Sequence, residues 1–358
     1  MSDLNQSADV TIVVATYNRP ALLKCALQSV LRQSYQNWRL YIVGDACTPE
    51  TGEMISSFAD PRIEYCNLPD RCGEQSGPNS AGIAAATTPY VALLNQDDIW
   101  FPNHLELALT KLKNTGASFY CAGSVMTAHT HNKVTGKERS VFSLENRKKR
   151  SFEEMFYSHP DYLEPASAWV FTKDVFDKVG PWAPAGTLYR APLEDWLLRV
   201  WVSGASCLLS DDVSVIKCCI NKGKFWKKTD KEAALYFRPE GEQLVLSRIL
   251  EAGMIQELWT IIRNDLSEFK AKARHTERYT GSQFAEPFQK LVHAEAARDF
   301  RKGGRDTFTE FCKHAGIRKG QSLETLLERR TGETLPRHEN WDDMILFAQE
   351  HFHAGAGK

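Results

Sequence analysis

Short β-branched runs and amphipathic stretches exchange places along the first half of this chain, and that alternation most narrows the folds open to it. Val10-Thr-Ile-Val-Val-Ala15 reads as a strand. Pro20 then opens a stretch with Leu22, Leu23, Ala26, Leu27, Val30 and Leu31 apolar, which is helical spacing. Proline loses nothing in the first helical turn, where its missing N–H would have no partner. Trp38 to Val43 is the next strand, residues 50–59 the next helix and residues 62–66 the third strand. A polar, Gly-containing loop over 70–76 leads into a helix over 77–87 built on Ala81, Gly82, Ala84, Ala85 and Ala86. Such small residues let a helix lie close to a sheet. Pro89 to Leu94 is an apolar run of the kind buried on both faces. Strands joined through helices by short connections imply an α/β class with a largely parallel, right-handed, doubly wound sheet.

Beyond this the spacing predicts a helix over 103–114, a strand over 117–127 and a polar, basic loop excursion over 128–162. A strand over 165–172, a helix over 173–179 stopped by Gly180-Pro181, a helix over 193–202 stopped by Gly204, and a strand pair within 205–218 follow. From about residue 230 the pattern is helical only, with Leu244, Ile249, Leu250, Met254, Leu258, Ile261, Ile262 and Leu266 in amphipathic register. Further helices are expected over 308–315, 322–329 and 341–352, the last capped by Asn340. The expected division is an α/β domain over 1–229 and a helical subdomain over 230–358.

Composition excludes several classes. Lys and Arg total 44 against 45 Asp and Glu, a net charge of −1, so no global field favours nucleic acid. No run approaches the ~18 apolar residues of a spanning helix, and Met1 to Ser7 has neither a basic nor an apolar leader region, so a cytoplasmic protein is expected. The nine cysteines are odd in number and lack a Cys-x-x-Cys pair, which fits reduced thiols.

Three polar clusters follow strands that should be neighbours: Thr16-Tyr17-Asn18-Arg19, Gly44-Asp45-Ala46 and Gln96-Asp97-Asp98. Turn and cap chemistry explains each cluster singly. It does not explain why all three fall at one sheet edge, where open α/β sheets bind ligands. There Tyr17 can stack on a base, Asp45 can accept from a base N–H or a ribose hydroxyl, and Asp97 can accept from ribose. Asp98 can hold a hard cation on a diphosphate.

Together the first strand with Thr-Tyr-Asn-Arg, the Val-Gly-Asp-Ala-Cys-Thr turn, Gly-Pro-Asn79-Ser-Ala-Gly82 and Leu-Asn-Gln-Asp-Asp-Ile-Trp resemble a family 2 glycosyltransferase over about residues 9–220. The resemblance implies a GT-A (Rossmann-like) fold with a mostly parallel sheet flanked by helices. It implies a nucleotide-sugar donor, most often a UDP-sugar, an inverting transfer and Mn²⁺ or Mg²⁺ as cofactor. Thr16, Tyr17, Asn18, Arg19, Asp45, Arg71, Asn79, Gln96 and Asp97 fall at its nucleotide-binding positions and Asp98 at its metal position. The usual Asp-x-Asp appears here as Asn95-Gln96-Asp97. The implied setting is bacterial surface polysaccharide assembly, lipopolysaccharide or capsule, with a saccharide or lipid-linked acceptor.

Glu194-Asp195 opens the helix Asp195-Trp-Leu-Leu-Arg-Val-Trp201. Acids in a first turn suit the macrodipole. By the resemblance, Asp195 is the general base for the acceptor hydroxyl and Glu194 binds acceptor or orients Asp195. The processive Gln-x-x-Arg-Trp pattern is missing, so one sugar per encounter is expected. The run Lys222-Gly-Lys-Phe-Trp-Lys-Lys228 has the make-up of a lid over the diphosphate. With Arg147-Lys-Lys-Arg150 it is alternatively a peripheral membrane contact. Trp169 and Trp182 are candidate sugar-stacking faces, with burial their default. His129, His131 and His159 are candidate metal ligands, with an ordinary loop role the commoner one. Two other readings stand beside the transferase. A sugar-nucleotide nucleotidyltransferase would need a Gly-rich phosphate loop that Thr-Tyr-Asn-Arg-Pro lacks, and a non-catalytic glycan-binding protein would have no need of Asp97, Asp98 and Asp195.

Overall fold

The structure, a computed structural model, describes residues 8–132, 138–144, 165–187, 192–218, 235–236, 277–280 and 341–354. Its first half alternates as the sequence pattern requires: β1 (Val10–Thr16), α1 (Pro20–Leu31), β2 (Trp38–Gly44), α2 (Pro49–Ser56), β3 (Ile63–Asn67), α3 (Ser76–Ala85) and β4 (Tyr90–Leu93). β1 pairs in parallel with β2 and β4, and β2 in parallel with β3. Val10, Ile12, Val13 and Val14 are all fully buried, which is why β1 reads as a continuous apolar run with no polar face. α1 buries Leu23, Ala26, Leu27 and Val30 against this layer. α3 approaches so closely that a Cβ at Gly82 would stand 2.6 Å from Val13 Cγ1 and 3.1 Å from Val43 Cγ2.

The second half comprises β5 (Asp98–Trp100), α4 (His104–Thr115), β6 (Phe119–Asn132), β7 (Glu138–Leu144), β8 (Trp169–Thr172), α5 (Lys173–Val179), α6 (Pro192–Val202), β9 (Ser206–Cys218), β10 (Leu235–Tyr236), β11 (Glu277–Thr280) and α7 (Trp341–His353). The main path of the sheet runs β11-β9-β6-β8-β4-β1-β2-β3. β8 enters antiparallel between β4 and β6, so a parallel half joins a mixed half. Residues 206–218 form one continuous strand, not the expected pair, because β9 follows β6 in parallel along most of its length and also pairs with β5 and β11. The expected excursion after 127 begins instead as a hairpin, with β6 running on to Asn132 and β7 returning beside it. Past residue 230, β10 pairs with β6 and β11 with β9. The helices expected within 244–266, 308–315 and 322–329 lie outside the described residues.

α7 returns to the front of the chain. Its Trp341, Met344, Ala348 and Phe352 are buried together with Tyr41, Val43, Cys66, Leu68, Ala81 and Ala85. Phe352 stacks on Tyr41 at 3.9 Å, and His353 Nε2 lies 2.9 Å from the Ala85 carbonyl. Under the mixed half, Phe119, Trp169, Phe171, Trp182 and Trp196 form one buried aromatic cluster. Cys25, Cys47, Cys66, Cys72, Cys121 and Cys207 are thiols outside any disulfide. Among the described residues no helix is long and apolar enough to cross a membrane.

Candidate functional site

The carboxyl ends of β1, β2 and β4 open onto one crevice of about 190 Å³, walled by Thr16, Tyr17, Asp45, Arg71, Gly73, Gln75, Pro78 and Gln96 among others. All three polar clusters of the sequence therefore contribute to one cavity. Gln96 ties two of the strand ends together: its Oε1 accepts from Thr16 Oγ1 at 2.8 Å and from the Tyr17 N–H at 3.1 Å. Asn18, at φ 45°, holds a left-handed turn that few residues other than Gly, Asn and Asp accept, and its Oδ1 takes the Thr48 N–H at 2.8 Å. Asn18 thus joins the turn after β1 to the start of α2 and does not line the crevice.

Asp45 is 4 % exposed, and its two carboxylate oxygens accept from the Cys72 N–H at 2.5 Å and the Gly73 N–H at 2.9 Å. Gly73 sits at φ 79°, a backbone state glycine adopts freely. Asp45 so pins the loop between β3 and α3 over the crevice. The same loop places the Arg71 guanidinium 4.0 Å from the Tyr17 ring centroid, a cation–π contact at the crevice mouth. Burial, reinforced by Asp45, pushes the Cys72 thiol up to about 12, so Cys72 is no nucleophile here. Its Sγ lies 3.3 Å from Met344 Sδ of α7. Asn79 is buried within α3, one residue beyond the lining residue Pro78.

The two adjacent carboxylates face different ways. Asp97 is 22 % exposed at its side chain and pairs with Arg19 Nη1 at 3.3 Å. Burial holds its carboxyl above the usual range while Arg19 pulls it down. Asp98, expected as the metal ligand, is 2 % exposed within β5, and its Oδ2 receives the Ser167 hydroxyl at 2.5 Å and the Asn95 amide at 2.8 Å. Burial first, then the neighbouring Asp97 charge, raise it to about 7. Ser167 also accepts the Asn95 N–H at 2.9 Å, so one serine braces both ends of the Asn95–Asp98 turn. Nothing in the sequence marks Ser167, because its partners lie 69 and 72 residues away.

Among the described residues no cluster of three or more His, Cys, Asp or Glu side chains is arranged to hold a metal by itself. A cation held by one protein carboxylate plus ligand phosphates needs no such cluster. Asp97, partly exposed beside the crevice residue Gln96, fits that donor set, whereas Asp98 is turned into the protein.

Asp195 lies in the first turn of α6 and is fully buried. Its Oδ2 accepts from Arg199 Nε at 2.9 Å, and its Oδ1 has no hydrogen-bond partner among the described residues. Trp169 and Trp182, considered as sugar-stacking faces, are 0 % and 1 % exposed: the β8 and α5–α6 segments fold them into the aromatic cluster, where no ring face is free. The side chains of Glu194, His129 and His131 lie outside the described residues, as do His159, Arg147–Arg150 and Lys222–Lys228.

A mixed α/β sheet whose parallel strands end on a crevice of aromatic, carboxylate and guanidinium groups is the GT-A arrangement of glycosyltransferases. Residues 11–180 match the family model described as Glycosyl transferase family 2, and that stretch belongs to the family. The chain is 28 % identical over 128 residues to the Escherichia coli UDP-Glc:alpha-D-GlcNAc-diphosphoundecaprenol beta-1,3-glucosyltransferase WfgD, covering 36 % of this chain and 49 % of that protein. It is 35 % identical over 102 residues to the putative colanic acid biosynthesis glycosyl transferase WcaA of Escherichia coli K12, covering 28 % and 36 %. The chain thus spans half or less of the length of these curated relatives. Among solved structures, S. aureus TarS 1-349 is similar with a TM-score of 0.46 at 13 % identity, over 59 % of this chain and 60 % of that one.

Proposed function

We propose that this protein transfers a sugar from a UDP-sugar to a hydroxyl of a lipid-linked saccharide with inversion, in bacterial surface polysaccharide assembly. The observation that carries the reading is the crevice, where Thr16, Tyr17, Asp45, Arg71 and Gln96 converge from four separated segments. Tyr17 offers the ring on which a base stacks, with Arg71 on its edge of the crevice as the group that meets phosphate charge. Asp97, together with the donor's diphosphate, would hold Mn²⁺ or Mg²⁺, which when bound neutralises charge on the leaving nucleotide. Asp195 takes the proton of the acceptor hydroxyl as its oxygen bonds to the anomeric carbon and the bond from that carbon to the diphosphate breaks. The match to an enzyme named for a UDP-Glc donor and a diphosphoundecaprenol-linked GlcNAc acceptor supports UDP-glucose and a lipid-linked GlcNAc diphosphate as the first substrates to try. Work on such an acceptor implies a cytoplasmic enzyme acting at the inner membrane face. In this reading residues 1–229 are the transferase domain and 230–358 a helical subdomain that adds two short strands and α7 to it.

Calorimetric titration with UDP, GDP and dTDP, each with and without Mn²⁺, tests the donor half of the proposal. Metal-dependent binding of UDP alone is expected. Asp195→Asn tests the catalytic half: transfer should disappear while UDP affinity stays within about two-fold, since the carboxylate acts on the acceptor. Full turnover by that variant would remove Asp195 from the mechanism.

A further inference from the structure

We propose that Arg199 is the positioning residue of Asp195, fixing where its free oxygen stands relative to the nucleotide crevice. The inference rests on Asp195 being the general base. α5 ends at Val179 and, like any helix, presents carbonyls that its own turns leave unpaired. Gly180, at φ 79°, turns the chain there, and three successive carbonyls all receive donors from α6. Val179 accepts from Arg199 Nη1 at 2.8 Å, Gly180 from Trp196 Nε1 at 2.9 Å and Pro181 from Arg199 Nη2 at 2.8 Å. The remaining guanidinium donor, Nε, goes to Asp195 Oδ2 at 2.9 Å. A planar fork with fixed angles matches this set of acceptors, and an ammonium does not.

The consequence is directional. Arg199 is 10 % exposed at its side chain and Asp195 0 %, so this is a buried ion pair whose geometry sets the carboxylate's rotation. It occupies Oδ2 and leaves Oδ1 without a partner among the described residues, the oxygen that would receive a proton. The carbonyls on which the fork rests belong to a strap that continues to the nucleotide side. Trp182 N–H donates to Ser80 Oγ at 3.0 Å on α3, and Ala185 N–H to Glu74 Oε1 at 2.7 Å in the crevice loop. Asp195, Arg199, the 179–185 strap and the crevice wall therefore form one hydrogen-bonded frame. In this frame the guanidinium is the only described group bonded both to the catalytic carboxylate and to the strap.

The test compares Arg199→Met, Arg199→Lys and Asp195→Asn for turnover of UDP-glucose with a GlcNAc-diphosphate lipid, and for UDP affinity by calorimetry. Arg199→Met should lower kcat by about 100-fold, the scale expected when a reacting group is misplaced by about 1 Å, with the UDP dissociation constant within about two-fold. Arg199→Lys, which keeps the charge and loses the fork, should recover part of that loss. Turnover of Arg199→Met within about three-fold of wild type overturns the proposal. So does loss of UDP binding in step with kcat in both Arg199 variants, which would mark a general structural prop. If Asp195→Asn is inactive while Arg199→Met is unimpaired, only the positioning role fails. If Asp195→Asn turns over normally, the base assignment fails and takes this inference with it.

Discussion

Replacing Gly82 with alanine sets two effects of opposite sign against each other. Gly82 sits inside α3, and alanine in a helix interior is favoured over glycine by about 1 kcal/mol, so propensity alone predicts a more stable protein. The packing predicts the reverse. The new Cβ would lie 2.6 Å from Val13 Cγ1, against the about 3.5–4.0 Å that carbon pairs prefer, and 3.1 Å from Val43 Cγ2. Neither valine has room to move: both are fully buried, and β1 is held by β2 on one side and β4 on the other. Overpacking of this kind costs about 1–3 kcal/mol, and a contact this short belongs at the upper end. The net expectation is destabilisation by about 2 kcal/mol, a fall in Tm of about 3 °C for a chain of this size. Thermal unfolding of the full chain measures it. A rise of a few degrees would refute the argument, because it would mean that α3 rides away from the sheet without cost. If α3 does move, Pro78 moves with it, and UDP should bind more weakly.

Two further outcomes are expected. Arg71→Ala removes the guanidinium from the Tyr17 ring and from the crevice mouth, and should weaken UDP by about 3–10-fold in calorimetry, while uridine is affected less; unchanged UDP affinity would show that the nucleotide binds elsewhere. His104, fully buried against Trp100 and bonded through Nδ1 to Ser214, is pushed down to about 3 by burial, whereas in the unfolded chain it titrates near 6.5. The unfolded chain then takes a proton that the folded chain refuses, so stability is lost as pH falls from 6.5 toward 3, by up to about 2 kcal/mol at pH 5. Urea midpoints at pH 7 and pH 5 should draw together in His104→Phe, and an acid loss equal to wild type would count against it.

The parts of this molecule that could be read from sequence are those set by local pattern. Val10 to Ala15, Pro20 with its apolar spacing and the Ala-Gly run of α3 each declare their element within a few residues, so the parallel half-sheet was legible together with the edge on which Tyr17, Asp45 and Gln96 meet. What escaped was set across long separations. The antiparallel insertion of β8 depends on its pairing with β4 and β6, and no feature of Trp169 to Thr172 specifies a direction. Asp45 lines the crevice as expected, but its hold on the loop 27 and 28 residues later, through both carboxylate oxygens, has no mark in the sequence. Asp98 falls at the metal position of the resemblance, but its carboxylate is buried and receives the Ser167 hydroxyl, a partner 69 residues away. Trp169 and Trp182 follow their default, burial, and it is the packing of Phe119, Phe171 and Trp196 around them that decides against a stacking role.

The return of α7 to the first strands has a consequence for the order in which the chain is made. Cys72 and Met344, in contact in the folded protein, are separated by 272 residues. At about 5–20 residues per second, a ribosome needs roughly 15–50 s to travel between them. Through that interval Tyr41, Val43, Ala81 and Ala85 have no Phe352 or Met344 to cover them. The nascent first half thus carries an open apolar seat behind its crevice loop until α7 emerges, a span in which a chaperone or a neighbouring nascent chain competes for the place that α7 later fills.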